Sequence, residues 1–251
     1  MPDTETVVRT LLGVLLLTVL TTAVLGAARV PHRFASALAI LRGTVQLALL
    51  GVVLSGVITD VRWVALALAV MFTVAAATSA RRLGDLRTHL PLTALAMGGG
   101  VLVPLAVVFT AGAIEPTARY ALAIGGIVIG NAMTTSTLAG RRVVQAVADR
   151  WDEVEGWLAL GATPRRATID MARHGLREAI IPTTDQTRTT GLVTLPGAFV
   201  GAIFGGVSPL EAGRFQIVVL AALMATAAIT SAVVAFRLAP RTGKGSSRAA
   251  A

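Results

Sequence analysis

The 251-residue chain is 55% hydrophobic and only 14% charged, carries a formal net charge of +9 and has no cysteine. That much apolar surface exceeds what a water-soluble fold of this size can hide, so the composition excludes an ordinary soluble domain and implies a bilayer as solvent. Disulfides and thiolate metal ligands are excluded with the cysteines, and nucleic-acid binding has no soluble module to carry its basic face.

A helix needs about 20 apolar residues to cross the hydrocarbon core. Seven runs qualify: 10–28, 38–58, 63–80, 90–111, 118–139, 191–207 and 216–236. The predicted fold is therefore all-α and polytopic, with one transmembrane domain over 1–241 and a disordered Gly/Ser/Ala tail over 242–251. The first run is expected to be a retained span rather than a cleaved leader, because Asp3 and Glu5 precede it where a secretory segment is basic.

In the second run, Arg42 is the one deeply placed ionisable residue, and Gln46 follows one turn later on the same side. Arg42 has two readings: it snorkels to the headgroups, or it lines an inner pathway. The fourth run contains Gly98-Gly99-Gly100 and Pro104, which free backbone groups that neighbours, water or substrate must satisfy. In the fifth, Asn131, Thr134, Thr135 and Ser136 form a polar band around Met133, suited either to interhelical hydrogen bonding or to a pathway.

Residues 140–190 form the one long non-spanning stretch. Within it Trp151, Val154, Trp157 and Leu158 recur at helical spacing, with Asp152, Glu153 and Glu155 turned elsewhere. Gly161 is expected to end that helix in a left-handed conformation. Thr163 would cap the next helix and Pro164 fill its first turn, giving helix, tight turn, helix. The second helix would bury Ile169, Ala172, Leu176, Ala179 and Ile180 opposite Arg165, Arg166, Asp170, Arg173, Arg177 and Glu178. Arg165 and Arg166 in its first turn oppose the helix dipole, which calls for compensation. Their readings are charge bias or lipid headgroups, or a protein partner gripping the turn between Trp151, Trp157 and the arginines. Asp185 would lie just inside the membrane boundary, pairing with Arg188 or gating the inner mouth. Pro196-Gly197, interrupting the short sixth run, is the expected hinge.

Seventeen of the 22 Lys and Arg fall in four alternate segments: Arg29 and Arg33; Arg81 to Arg87; Arg141 to Arg188; and Arg237 onward. The charge rule then places the amino terminus outside and the carboxyl terminus in the cytoplasm of a cell membrane, with 140–190 facing the cytoplasm. His32, His89 and His174 are too scattered for a metal site. The sole lysine, Lys244, sits in Gly243-Lys244-Gly245 without the upstream spacing of a phosphate-binding loop, so any ATP and Mg²⁺ would belong to a partner.

Arg42 with Gln46-Leu47, Gly130-Asn131-Ala132-Met133, Leu160-Gly161-Ala162-Thr163-Pro164, Pro182 with Asp185, Gly191-Leu192-Val193, Leu195-Pro196-Gly197 and Gln216-Ile217 together resemble the iron-export ABC permease family (FetB-type), which includes plant aluminium-tolerance membrane proteins. The resemblance covers nearly the whole chain. It implies a non-catalytic permease subunit that pairs with a separate ATP-binding subunit and with a second copy of itself to export iron or another metal-related substrate. Trp151, Glu153, Trp157 and Leu160 through Arg166 would couple to the ATPase. Arg42, Gln46, Asn131, Met133, Thr134, Asp185 and Gln216 would line the pathway. Ala198-Phe199 stands where relatives carry methionine after Leu-Pro-Gly, which weakens a soft-ligand metal site there. The competing class is an ATP-independent transporter or channel, which should carry acidic relay residues deep in the spans. An intramembrane enzyme lacks a nucleophile with a nearby base.

Overall fold

The computed structural model describes residues 4–57 and 60–243. Among them every regular element is helical, and the chain divides into two compact units, Met1–Ile58 and Thr59–Ala251.

The first unit is a helical hairpin, α1 (Thr4–Ala27) and α2 (Phe34–Val57). Both helices are apolar around their circumference, as expected of rods whose solvent is lipid. The hydroxyls of Thr18, Thr21 and Thr44 donate to the carbonyls one turn back, which hides these polar groups within the rod. Arg42 and Gln46 lie exposed on α2.

The second unit contains α3 (Val61–Leu83), α4 (Leu86–Thr110), α5 (Ala118–Asp149), α6 (Trp151–Ala159), α7 (Pro164–Ala167), α8 (Ile169–Thr189), α9 (Gly197–Phe204) and α10 (Pro209–Leu238). Side-chain oxygens set most of the long starts: Asp60 accepts from the Arg62 N–H, Asp85 from Thr88, Thr117 from Tyr120 and Ser208 from Glu211. The contacts fix the directions. Ser79 meets Ser136, and Leu83 covers Gly140, so α3 and α5 run parallel. Gly100 of α4 lies against Thr226 and Thr230 of α10, where an added Cβ would sit 2.0 Å from the Thr230 hydroxyl. Small residues at such crossings let backbones approach in membranes. α8 runs antiparallel to α5: Gly175 packs on Val143, while Thr183 reaches Asn131.

Two apolar clusters fill this unit. One gathers Ile124, Val128, Ala132, Met97 and Val219; the other joins Ala139, Val143, Val147, Val154, Met171, Val234 and Leu238. The second cluster ties the foot of α5 to α6, α8 and the end of α10.

Among the described residues seven helices have spanning length, and six of them are also apolar enough to cross a membrane. The expected sixth span is corrected. Residues 191–207 are not one helix: Gly191 takes φ +86, its N–H donates to the Thr194 carbonyl at 2.9 Å, and Pro196 caps an eight-residue α9. The helix that runs back along α5 is α8, at 21 residues about 31 Å long. Its second half lies beside the apolar part of α5, whereas the sequence places it outside the membrane. The reason is physical: α8 hides one face and leaves the other polar, and hydropathy averages over both. α5 also continues to Asp149, ten residues past its apolar run. The predicted tail lies outside the described residues from Lys244 onward.

Candidate functional site

Two regions of the second unit gather the residues singled out by sequence. The first is the turn between α6 and α7. Gly161 adopts φ +82, the Gly161 N–H donates to Leu158 O at 2.9 Å, and the Ala162 N–H donates to Trp157 O at 3.0 Å. This paired closure is the Schellman motif, which needs a left-handed residue where Gly161 stands. Thr163 is extended and its hydroxyl accepts from the Arg166 N–H, with Pro164 in the first helical position. Helix, turn and helix thus follow as expected, with one correction. The second helix breaks at Thr168, whose hydroxyl and N–H both donate to the Pro164 carbonyl, so α7 is one turn and α8 starts afresh at Ile169. Arg165 and Arg166 therefore face the dipole of a four-residue helix only. They are exposed, and no carboxylate pairs with them among the described residues.

Val154 is buried and Trp151 packs against the foot cluster, so α6 is anchored to the bundle. Glu153 pairs with Arg150 within the element. The tip is different: Trp157, Leu158 and Leu160 are 45%, 38% and 82% exposed. An anchored hairpin that presents apolar side chains flanked by two free arginines has the composition of an interface core.

The second region is a groove of about 320 Å³ between α5, α8 and α10, lined in part by Asn131, Thr134, Thr135, Pro182, Thr183 and Gln186. The Asn131 amide donates to the Leu223 carbonyl at 3.0 Å, and its Oδ1 accepts from the Thr183 hydroxyl at 3.4 Å. Pro182 lacks an N–H, so the Glu178 carbonyl loses its helical partner. The lining is uncharged and mixed: the hydroxyls of Thr134, Thr135 and Thr183 and the amides of Asn131 and Gln186 stand among apolar side chains such as Ile127, Leu138 and Leu223. Among the described residues no three His, Cys, Asp or Glu come together.

The polar band of α5 divides. Asn131 and Thr134 face the groove, whereas Ser136 and Thr137 meet Ser79 of α3 at 2.9 and 3.2 Å. Met133 packs against the apolar cluster and does not line the groove. Gln216 is buried in α10 with its Oε1 unpartnered. Pro196 and Gly197 form the junction from the turn at residues 189–194 into α9. Arg42 and Gln46 belong to the first unit.

Asp185 is placed deeper than expected. Thr183 bonds Asn131 and Thr184 touches the Met224 sulfur, so this part of α8 lies level with the midpoint of α10. Asp185 is exposed there and makes no ion pair with Arg188 among the described residues. Thr183 and Gln186 were missed by sequence reasoning. Their signal was the unbroken polar string Thr183 to Thr190, too polar for a span and too regular for a loop.

A bundle that contains six apolar helices of spanning length among the described residues defines a multi-pass membrane protein. The chain belongs to the uncharacterised protein family UPF0014, which it matches over residues 8–242. It is 36% identical over 195 residues to the UPF0014 membrane protein STAR2 of Oryza sativa subsp. japonica, covering 77% of this chain and 68% of the relative. It is 33% identical over 192 residues to the protein ALUMINUM SENSITIVE 3 of Arabidopsis thaliana, covering 76% and 70%. Against the probable iron export permease protein FetB of Escherichia coli it is 36% identical over 143 residues, covering 57% and 54%. No solved structure matches.

Proposed function

We propose that the chain is the membrane permease subunit of an ABC exporter, driven by a separate ATP-binding subunit that carries the ATP and Mg²⁺. The observation that carries this reading is the α6–α7 hairpin, anchored through Val154 and Trp151 while presenting Trp157, Leu158, Leu160, Arg165 and Arg166 outward. The relative named as an iron export permease supports it. In this reading the hairpin faces the cytoplasm and the amino terminus lies outside. Closure of the ATPase pushes the foot of α5 and the start of α8, and the groove between them changes shape. Iron or another metal-related solute is the proposed cargo, carried with its water or ligand shell because the groove offers only neutral donors and acceptors.

The test is co-purification of the tagged chain with an ABC ATP-binding subunit from its native membranes. Wild-type protein should retain that subunit, and Trp157→Ala with Leu160→Ala should lose it. Gly161→Pro should abolish ATP-driven transport, because proline cannot adopt φ +82. A permease that retains no ATPase and transports undiminished with Gly161→Pro overturns the reading.

Asp185 at mid-bundle depth favours a second reading, an ATP-independent transporter that uses a carboxylate relay. Flux into vesicles with a proton gradient and no nucleotide separates the two.

A further inference from the structure

α8 has two faces of opposite character. Met171, Gly175, Ala179 and Thr183 recur at four-residue intervals and are buried against the bundle. On the other side Arg177, Ile181, Asp185 and Arg188 form a stripe at three- and four-residue spacing, and all four are exposed. The upper part of this stripe lies at the height of Asn131, Leu223 and Met224, the middle of the apolar rods. Charged groups at that depth almost always face a protein or aqueous surface rather than lipid. Asp185 and Arg188 nevertheless have no ion-pair partner among the described residues.

Their order along the helix suggests what covers them. Two copies inserted with the same orientation are related by a twofold axis along the membrane normal, so their α8 helices run side by side and parallel. In such a pair equivalent residues stand at equal height, three residues rise about 4.5 Å, and a long arginine side chain spans that offset to the partner's carboxylate. Asp185 of each copy then meets Arg188 of the other, and symmetry makes the contact twice. A helix bearing one acid and one base a turn apart is complementary to itself in this arrangement.

We propose that the Ile181–Asp185–Arg188 face of α8 is the seam between two copies of this chain, closed by reciprocal Asp185–Arg188 ion pairs at mid-membrane depth. The inference rests on the permease reading only for the expectation that copies pair. Its test does not involve the ATPase.

The native chain has no cysteine, so single thiols can be placed without background. Membranes containing Asp185→Cys copies mixed with Arg188→Cys copies should give a disulfide-linked dimer on mild oxidation. The charge test uses two differently tagged copies and measures recovery of one with the other in detergent. Asp185→Arg paired with itself, or Arg188→Asp paired with itself, should lower recovery about tenfold through like-charge contact. Asp185→Arg mixed with Arg188→Asp should restore it, because each contact across the seam is again opposite in sign while each copy alone remains mismatched. Monomeric bands after oxidation, or mixed copies no better than like copies, overturn the proposal. So does labelling of Asp185→Cys by a membrane-impermeant maleimide without dimer formation, which marks a water-filled lumen. Retention of the ATP-binding subunit, measured separately, distinguishes failure of the seam from failure of the permease reading.

Discussion

Along α5, polar groups meet two neighbours with opposite outcomes. Toward α3, Ser136 and Thr137 close on Ser79 and all three are buried. Toward α8, Asn131 and Thr134 border an open groove in which Asn131 reaches both Leu223 and Thr183. The residue types are alike, so type alone does not separate a sealed contact from a groove wall. The neighbour decides it: α3 brings a hydroxyl of matching length, whereas α8 brings Pro182, which leaves a carbonyl free and the wall uneven.

This contrast can be broken by substitution, and the largest effect should come from sealing rather than lining positions. Gly100→Ala places a methyl group against Thr230 and the Thr226 carbonyl, forcing α4 from α10. Unfolding in detergent, followed by tryptophan fluorescence, should show a loss of about 3 kcal/mol, the upper range for overpacking. Ser136→Val removes one partner of the sealed cluster and should cost about 2 kcal/mol. Ser79→Ala combined with Ser136→Ala should recover much of that, since no hydroxyl of the Ser79–Ser136 pair is then left unpaired.

On the groove side the pattern should reverse. Asn131→Ala should change stability by only about 1.2 kcal/mol, two interhelical hydrogen bonds at roughly 0.6 each in a membrane, yet reduce ATP-driven flux in vesicles at least severalfold. Equal losses of stability and flux at Asn131 would reduce the groove to packing.

The smallest effect lies at the α4 cap. Asp85 is exposed, and hydrogen bonds from the Thr88 N–H and hydroxyl hold its carboxyl below the ordinary value of 3.8. A lowered pKa in the folded state favours folding above the unfolded value, and that contribution disappears as pH falls through the folded one. Acid titration of unfolding below about pH 4 should therefore be shallower for Asp85→Asn than for wild type.

Much of this was legible beforehand because apolar rods and turn chemistry are local. The left-handed Gly161, the Thr163 cap and Pro164 are dictated by three adjacent residues, and the structure places each as expected. The helical start of α8, with Ala172 and Ala179 buried, was expected, but its course past Ile180 was illegible for the opposite reason. Its exposed Arg177, Asp185 and Arg188 outweigh its buried face in any average, and contacts distant in the chain, Thr183 with Asn131 and Thr184 with Met224, reveal that it returns along the bundle. The split of the α5 band was equally hidden, since Ser79 lies 57 residues from Ser136 in the chain.

At 32 residues α5 is about 48 Å long, well beyond the roughly 30 Å of hydrocarbon it must cross. Asn131 therefore stands about 27 Å from the foot at Asp149 along one unbroken rod. Such a rod behaves as a gear shaft: a tilt of a few degrees at its base arrives at Asn131 as ångströms of lateral travel, with no flexible joint between to absorb it.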